Sequence, residues 1–539
     1  MTGAYIQPDL LSRDFGTMAE LVRAHARLRP NHAALIHDGR RLDYSALDRW
    51  ADRVAATLQR DQVGPRHTVA ICASTSIDYA ALFFGSLRAG VAVAPLADSS
   101  APRALAAAMA DSGARILFLD RAVARAWPPA APALATSAGA VTRVVIDDPG
   151  PSGLEHWMVE QGRIPERIDP EPDWPFNVIY SSGTTGVPKG IVQPHSFRWA
   201  NAQRARLYGY DSESVTLLST PMYSNTTLAT LFGALALGGT VVLMGKFTAG
   251  GYLALAQDAQ ASHTMLVPVQ YQRLLLQQDF DRFDLSSYRM KFSTGAPFPS
   301  ALKEQVLRRW PGGLIEIYGM TEGGGACMLE AHRYPHKLHT VGTPMPHHDI
   351  RLIDAAGREV PSGETGEIVG HSPAMMNGYL NQPSKTQEAE WRDSTGKRFI
   401  RSGDIGRMDA DGFLVLLDRK KDMIISGGFN IYPGDLEAVL REHPAVLEAA
   451  VIGVASPRWG ETPVAYVVLQ EGARVAAADL TVWANERLGK MQRIAATMIT
   501  DSLPRNGAGK VMKPALREAF LGSPPRFGGG NPFADVGGE

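Results

Sequence analysis

The sequence predicts an α/β fold: parallel sheets covered by helices, then an antiparallel, barrel-like segment, then a small α+β unit. Three observations carry this. Apolar strand-like runs alternate with helical runs in the first part of the chain, and again from residue 176 to about 320. From about residue 340 turn signals separate short apolar runs, up to about 418. The length, 539 residues, exceeds what one hydrophobic core serves, so more than one domain is expected.

Taken in order, Ser45 to Leu58 carries Leu47, Trp50, Ala51, Val54 and Leu58 on one helical stripe, with Ser45 and Asp48 spaced as a capping box. Thr68-Val-Ala-Ile-Cys72 reads as a buried strand. Ser76 to Ala89 reads as a helix stopped by Gly90, and Val91 to Leu96 as the next strand. Pro102 opens a helix and Arg115 to Leu119 reads as a strand. Residues 124–140, rich in Ala and Pro, read as a surface connection. Asp354-Ala-Ala-Gly357, Pro361-Ser-Gly-Glu-Thr-Gly366 and Asp409-Ala-Asp-Gly412 are the turns of the antiparallel segment. In residues 435–520, Leu436, Val439 and Leu440 share a helix face, while Ala449 to Gly453 and Val464 to Leu469 read as strands. Ser523 to Glu539 is rich in Gly and Pro and is expected to lack fixed structure.

Composition narrows the function. The 54 basic and 55 acidic side chains nearly cancel, so no global field draws in nucleic acid or anionic lipid. Two cysteines, Cys72 and Cys327, support neither a disulfide framework nor a cysteine metal cluster, and fit a reducing compartment. The N-terminal segment carries acids and no long apolar run, and no stretch reaches the roughly 20 apolar residues of a membrane span. A cytoplasmic protein without integral membrane contact is expected; association into a homo-oligomer stays open. His332 and His336 have HxxxH spacing, but Pro335 breaks the helix that would align them, and His347-His348 sits in a turn. All four are expected to be solvated loop residues rather than metal ligands.

The strongest chemical signal is Tyr180-Ser-Ser-Gly-Thr-Thr-Gly-Val-Pro-Lys-Gly190, directly after the strand-like Phe176 to Tyr180. Small hydroxyls, glycines and one lysine offer backbone N–H groups, O–H groups and a positive charge to phosphate oxygens. The string is not the Walker pattern, because Pro188 stands where that pattern needs Gly. Further strings follow in order: Ser293-Thr-Gly-Ala-Pro297, Glu316-Ile-Tyr-Gly-Met-Thr-Glu322, Arg401-Ser-Gly-Asp404, Asp418-Arg-Lys-Lys-Asp422, Ile424-Ile-Ser-Gly-Gly-Phe-Asn-Ile-Tyr-Pro433 and Leu503-Pro-Arg-Asn-Gly-Ala-Gly-Lys510.

This series resembles the motifs of the acyl-adenylate-forming superfamily, which holds AMP-forming acyl-CoA synthetases such as the 4-coumarate-CoA-ligase-like enzymes, adenylation domains of peptide synthetases, and beetle luciferases. The resemblance spans about residues 20–520. It implies a large N-terminal domain over 1–418, of two doubly wound αβ subdomains and a β-barrel-like subdomain. A hinge at 419–422 around Lys421, a small mobile C-terminal domain over 423–522 and a tail over 523–539 complete it. It implies ATP contacts from Ser181, Ser182, Gly183, Thr184, Thr185, Gly186, Lys189, Gly295, Ala296, Pro297, Glu316, Ile317, Tyr318, Gly319, Thr321, Asp404, Arg419 and Lys510. Within these, Tyr318 would stack on adenine, and Asp404 and Arg419 would hold the ribose. Thr321 would meet the α-phosphate and Glu322 would hold Mg²⁺. Lys510 would be the catalytic lysine of adenylation, with Thr321, Glu322 and Lys189 as the other catalytic residues. Gly427 and Gly428 would line the coenzyme A channel. The family's residue before Gly-Lys is Ser or Thr; here it is Ala508.

The implied activity is an acid–thiol ligase: a small-molecule carboxylic acid attacks MgATP to give acyl-AMP and pyrophosphate, and coenzyme A then displaces AMP. The alternative is a stand-alone adenylation enzyme that loads a separate carrier protein. By similarity Tyr223, Ser224, Asn225, Val267, Gly295 and Gly323 would line the acyl pocket. Ser224 replaces a common His, and no Asp occurs from Pro221 to Thr227, which argues against an α-amino acid substrate. Ser224 and Asn225 could meet a hydroxyl or carbonyl of the acid, or could simply satisfy backbone groups. The sequence does not choose between aromatic and aliphatic acids.

Overall fold

The computed structural model describes residues 10–126, 135–136, 139–181, 189–419, 422–426, 429–456, 459–489, 492–505 and 509–522. By its internal contacts the chain divides into two compact units, residues 1–350 with 370–400, and residues 351–369 with 401–539. Among the described residues no helix is long and apolar enough to cross a membrane.

The first unit holds two sheets. One runs in the order Gly378–Tyr379, Lys189–Pro194, Pro175–Ser181, Ala92–Leu96, Thr68–Cys72, Ile116–Leu119, Thr142–Val145. Its last five strands are parallel, as the alternation of strand and helix predicts. Lys189–Pro194 departs from that rule and pairs antiparallel with both neighbours. The other sheet runs Thr343–Pro344, Cys327–Glu330, Gly313–Tyr318, Met290–Ser293, His263–Leu266, Val215–Leu218, Thr240–Leu243, Ala33–His37, Arg40–Asp43. Its six middle strands are parallel and both edges are antiparallel.

Local chemistry explains the element ends. The helix Ile77–Arg88 starts at Ser76, whose Oγ accepts from Tyr79 N–H at 3.1 Å. Pro102 is the first residue of the helix Pro102–Ser112, where a missing N–H costs nothing, and Gly113 ends it at φ +60°. The expected Ser45–Asp48 capping box is not formed. The helix starts at Tyr44, and Asp43 caps it by accepting from Ala46 N–H at 2.7 Å. Ser45 thus falls inside the first turn, and the Asp48 carboxylate accepts from the Arg88 guanidinium at 2.5 Å.

A large apolar core runs through the first unit, beside smaller separate ones. At its middle, Phe232 packs edge-on against Phe83, Phe84 and Phe176, with centroids 5.4, 5.3 and 5.0 Å away. Each such pair contributes about 0.5–1.5 kcal/mol beyond its buried area. The contact ties the strand Pro175–Ser181 to the helix Asn225–Ala236, and so fixes where Asn225 begins its helix.

In the second unit, Phe429–Ile431, Ile424–Ser426, Gly460–Leu469 and Val446–Ser456 form an antiparallel sheet, and Ala496–Ile499 joins Gly460–Leu469 in parallel. With the helices Pro433–Arg441, Ala477–Asn485 and Lys513–Gly522 this is the expected α+β unit. The run Asp418 to Asp422 is anchored at both ends. Asp418 accepts from Gly434 N–H at 2.8 Å, and Asp422 pairs with Arg517 at 3.3 Å. The residues between them, the expected hinge Lys421 included, lie outside the described residues except for Arg419.

Candidate active site

Four neighbouring parallel strands end in register in the larger sheet. Leu218 lies beside Met265, Leu266 beside Ser293, and Ser293 beside Glu316. The segments that leave these carboxyl ends are the ones the sequence singles out: Pro221 to Asn225, Val267, Thr294 to Pro297, and Tyr318 to Glu322. The carboxyl edge of a parallel sheet collects backbone groups without strand partners, and open α/β sheets bind ligands there. Gly295 stands at φ +87° with nothing within 4 Å of where a Cβ would be, so a ligand can approach its backbone closely. Ala296 is half-buried and Pro297 exposed beside it, while Ile317 and Tyr318 are half-buried and Gly319 exposed at the neighbouring strand end.

The expected phosphate loop joins two hydrogen-bonded strands. Ser181 and Lys189 face each other across the ladder, and Ser182, Gly183, Thr184, Thr185 and Gly186 lie outside the described residues. Lys189 is therefore the first residue of a strand, with its backbone held by Ser181. Its ammonium lies 5.1 Å from the centre of the Tyr379 ring. The Tyr379 O–H donates to Glu322 Oε1 at 2.9 Å. Burial, and then the Glu322 charge, hold the Tyr379 phenol protonated well above its ordinary range. Lys189, Tyr379 and Glu322 thus form one cluster. Tyr379 carried no signal in the sequence; it sits on a two-residue strand that pairs with Ile191.

The turn after Thr321 is packed too closely for side chains. A Cβ on Gly323 would lie 2.0 Å from the Ala374 carbonyl oxygen and 2.7 Å from the Phe197 ring, and φ there is +75°. Gly324 N–H donates to Ala374 O at 3.0 Å and Met376 N–H to Glu322 O at 2.8 Å, which laces the turn to residues 374–376. Glu316 points away from the sheet edge: it is buried and paired with the buried Lys303, whose ammonium also donates to Leu338 O at 2.7 Å. Burial raises the Glu316 carboxyl and Lys303 opposes that. A nucleotide contact at Glu316 would therefore be made by its backbone.

Ser224 and Asn225 are not spent on the backbone groups of the helix they begin. Ser224 makes no capping bond from its side chain, so it does not satisfy the helix end. Asn225 Oδ1 accepts from Arg198 at 2.8 Å and from Gln193 at 3.1 Å, both side chains. Tyr223 is half-buried, and burial followed by Asp98 raises its phenol. Val267 caps the helix Pro268–Leu275, its N–H donating to Gln270 Oε1 at 3.1 Å. Of the four loop histidines, His348 is half-buried rather than fully solvated. Its Nδ1 accepts from Ala326 N–H at 2.9 Å, and burial together with Arg204 lowers it to about 3.

In the second unit, Asp404 and Arg419 are cross-strand partners. Asp404 N–H donates to Ser402 Oγ at 3.0 Å. Lys510 follows Gly509, at φ +78°, and precedes Val511, which forms an antiparallel bridge with Arg505. Arg505 also donates to Gly509 O at 2.7 Å and to Glu448 at 2.6 Å. Gly427 and Gly428 lie outside the described residues. Among the described residues no group of three or more His, Cys, Asp or Glu side chains could hold a metal. The single carboxylate of Glu322 suits Mg²⁺, which keeps water and substrate phosphates as most of its ligands.

Comparison with known proteins shows the family and the fold. The family model of AMP-binding enzymes matches residues 22–380, and that of the AMP-binding enzyme C-terminal domain matches residues 435–510. A feruloyl-CoA synthase of Amycolatopsis sp is 33% identical over 506 residues, which is 92% of this chain and 97% of the relative. A fatty acid–[acyl-carrier-protein] ligase of Streptomyces coeruleorubidus is 31% identical over 523 residues, 95% of this chain and 98% of the relative. The solved structure of o-succinylbenzoate CoA synthetase from Bacillus subtilis, in complex with its acyl-adenylate intermediate, superposes with a TM-score of 0.79 at 27% identity, covering 92% of this chain and 97% of that one.

Proposed function

The chain belongs to the family of AMP-binding enzymes, as an acid–thiol ligase of the AMP-forming class, and from that premise we propose that it is an ATP-dependent carboxylic acid–CoA ligase. The observation that carries the reading is the Lys189–Tyr379–Glu322 cluster, which joins the expected phosphate loop to the expected metal carboxylate.

In the first half-reaction a carboxylate oxygen of the acid attacks the α-phosphorus of ATP, and the P–O bond to pyrophosphate breaks. Two anions meet in this step, so alignment and positive charge govern its rate. Lys189 neutralises phosphate oxygens from a strand end that cannot drift, and Tyr379 orients the Glu322 carboxylate. Glu322 would hold Mg²⁺, which when bound neutralises phosphate charge. Thr321 donates its hydroxyl to the α-phosphate, Asp404 and Arg419 hold the ribose, and Lys510 supplies the charge at the attacking carboxylate. In the second half-reaction the thiol of coenzyme A, passing Gly427 and Gly428, attacks the acyl carbonyl and AMP leaves. Rotation of a C-terminal domain about Lys421 would exchange Lys510 for the glycine face.

The carrier-protein acceptor is the second reading, and the Streptomyces relative, named as an acyl-carrier-protein ligase, favours keeping it. Pyrophosphate release is the test, with MgATP and a panel of aliphatic, hydroxy, dicarboxylic and aryl acids, with and without coenzyme A. Release dependent on one acid class, with acyl-CoA and AMP formed on adding coenzyme A, is the expected result. An adenylate that only a phosphopantetheinyl carrier protein discharges would move the acceptor to the second reading. No release with any acid would refute both.

A further inference from the structure

A buried polar relay connects the phosphate-loop hairpin to the turn that carries Thr321 and Glu322. Asn177 and Gln193 face each other across the strands that begin and end that hairpin. Both are fully buried, and so is Arg198. The Arg198 guanidinium donates to Asn177 Oδ1 from Nε at 3.1 Å and from Nη2 at 3.0 Å, and from Nη2 to Gln193 Oε1 at 2.5 Å. Among the described residues it has no carboxylate partner and its Nη1 makes no hydrogen bond. Burial lowers it to about 9. Gln193 uses its whole hydrogen-bonding capacity. Oε1 accepts from Arg198 and, at 2.9 Å, from Asn177; Nε2 donates to Asn225 Oδ1 at 3.1 Å and to the Thr321 carbonyl oxygen at 2.6 Å. The amide can face only one way, because a flipped Gln193 would turn its NH₂ against the guanidinium. Arg198 therefore decides which end of Gln193 reaches Thr321.

We propose that Gln193 is a positioning residue for adenylate formation: oriented by Arg198, its amide fixes the Thr321 carbonyl, and through it sets where the Thr321 hydroxyl and the Glu322 carboxylate stand against the nucleotide. Because the same NH₂ holds Asn225, the acyl side and the nucleotide side of the site share one anchor. This inference rests on the adenylation reading above. It goes beyond that reading by assigning a role to a residue that touches neither substrate.

Gln193→Glu separates positioning from packing. A carboxylate of the same shape still accepts from Arg198 and Asn177, and pairs the buried cation, so the fold is held or strengthened. It cannot donate to Thr321 or Asn225, and sets its own oxygen against both of theirs. We expect Tm at or above that of the unaltered chain and a fall in kcat for pyrophosphate release of roughly tenfold or more, the scale of a lost buried hydrogen bond. The KM for MgATP should stay within about threefold, since uniform binding is not what is lost. Gln193→Met, which leaves Arg198 short of an acceptor, should lose the same adenylation rate but at a lower Tm. A normal rate in Gln193→Glu, or rates that follow Tm across the two variants, would overturn the proposal. Failure of Gln193→Glu to fold would overturn its charge-pairing premise. Failure of the adenylation reading shows separately, as no pyrophosphate from the unaltered chain, and takes this inference with it.

Discussion

Tyr379→Phe removes one oxygen and leaves the ring over Lys189. What is lost is the 2.9 Å hydrogen bond to Glu322 Oε1. A hydrogen bond to a charged group contributes about 1.5–3 kcal/mol net. Tyr379 and Glu322 are only half-buried, so solvent screening brings this down to about 1–2 kcal/mol, or roughly 5- to 30-fold in a rate constant. The assay is initial-rate pyrophosphate release at saturating acid, titrated with MgATP, with melting in parallel. kcat/KM for MgATP should fall by that factor, the magnesium concentration needed for half-maximal rate should rise, and Tm should stay within a few degrees because no core volume changes. Tyr379→Leu, which also removes the ring from Lys189, should lose more. Wild-type kinetics in Tyr379→Phe at limiting magnesium would refute the idea that this phenol orients the carboxylate.

Other expectations follow from the same structure. Lys510→Ala should suppress adenylation while leaving thioester formation from supplied acyl-AMP largely intact; equal loss in both half-reactions, measured separately, would remove its assigned role. Lys303→Met leaves the buried Glu316 uncompensated and should cost about 3–5 kcal/mol by denaturant unfolding, whereas adding Glu316→Leu should recover most of it. His195 is buried against Phe176, and burial lowers it to about 4. Its folded pKa lies below its unfolded value, so the unfolded chain binds the extra proton between them. The stability it contributes is present above about pH 6.5 and is lost as pH falls toward 4, amounting to about 2 kcal/mol by pH 5. His195→Phe should flatten unfolding free energy over that window; an unchanged slope would show the acid sensitivity lies elsewhere.

The legible parts of this protein are those where the determining groups are close in sequence. Thr68 to Cys72 is a strand to the residue, and Pro102 and Gly113 bound a helix by backbone chemistry that any reader of the sequence can apply. The motif segments Thr294 to Pro297 and Tyr318 to Glu322 were found as strings, and the register of Ser293 with Glu316 supplies the reason they belong side by side. What sequence reasoning missed depends on partners far along the chain. Asp43 rather than Ser45 caps its helix, a choice of two residues that local pattern cannot rank. The hairpin Ala33 to Asp43 joins strands that lie beyond residue 214, because its partner Thr240–Leu243 is read only in space. Tyr379 and Gln193 had no motif around them, and each reaches the Thr321–Glu322 turn, more than fifty residues away, only in space. Arg198, five residues past Gln193, explains the cluster only once its burial is known, since such a charge demands acceptors.

The pairing of Ser181 with Lys189 has a bearing on how this site can be re-engineered. Both ends of the intervening segment are clamped by the sheet at the separation of cross-strand neighbours, about 4.5–5.5 Å. The chain-closure entropy of any replacement segment is then met by the ladder, and each doubling of its length adds only about 0.6 kcal/mol. Segment 182–188 is in that sense an exchangeable cassette. Length variants of that segment can be screened for activity, with only a small change in unfolding free energy expected.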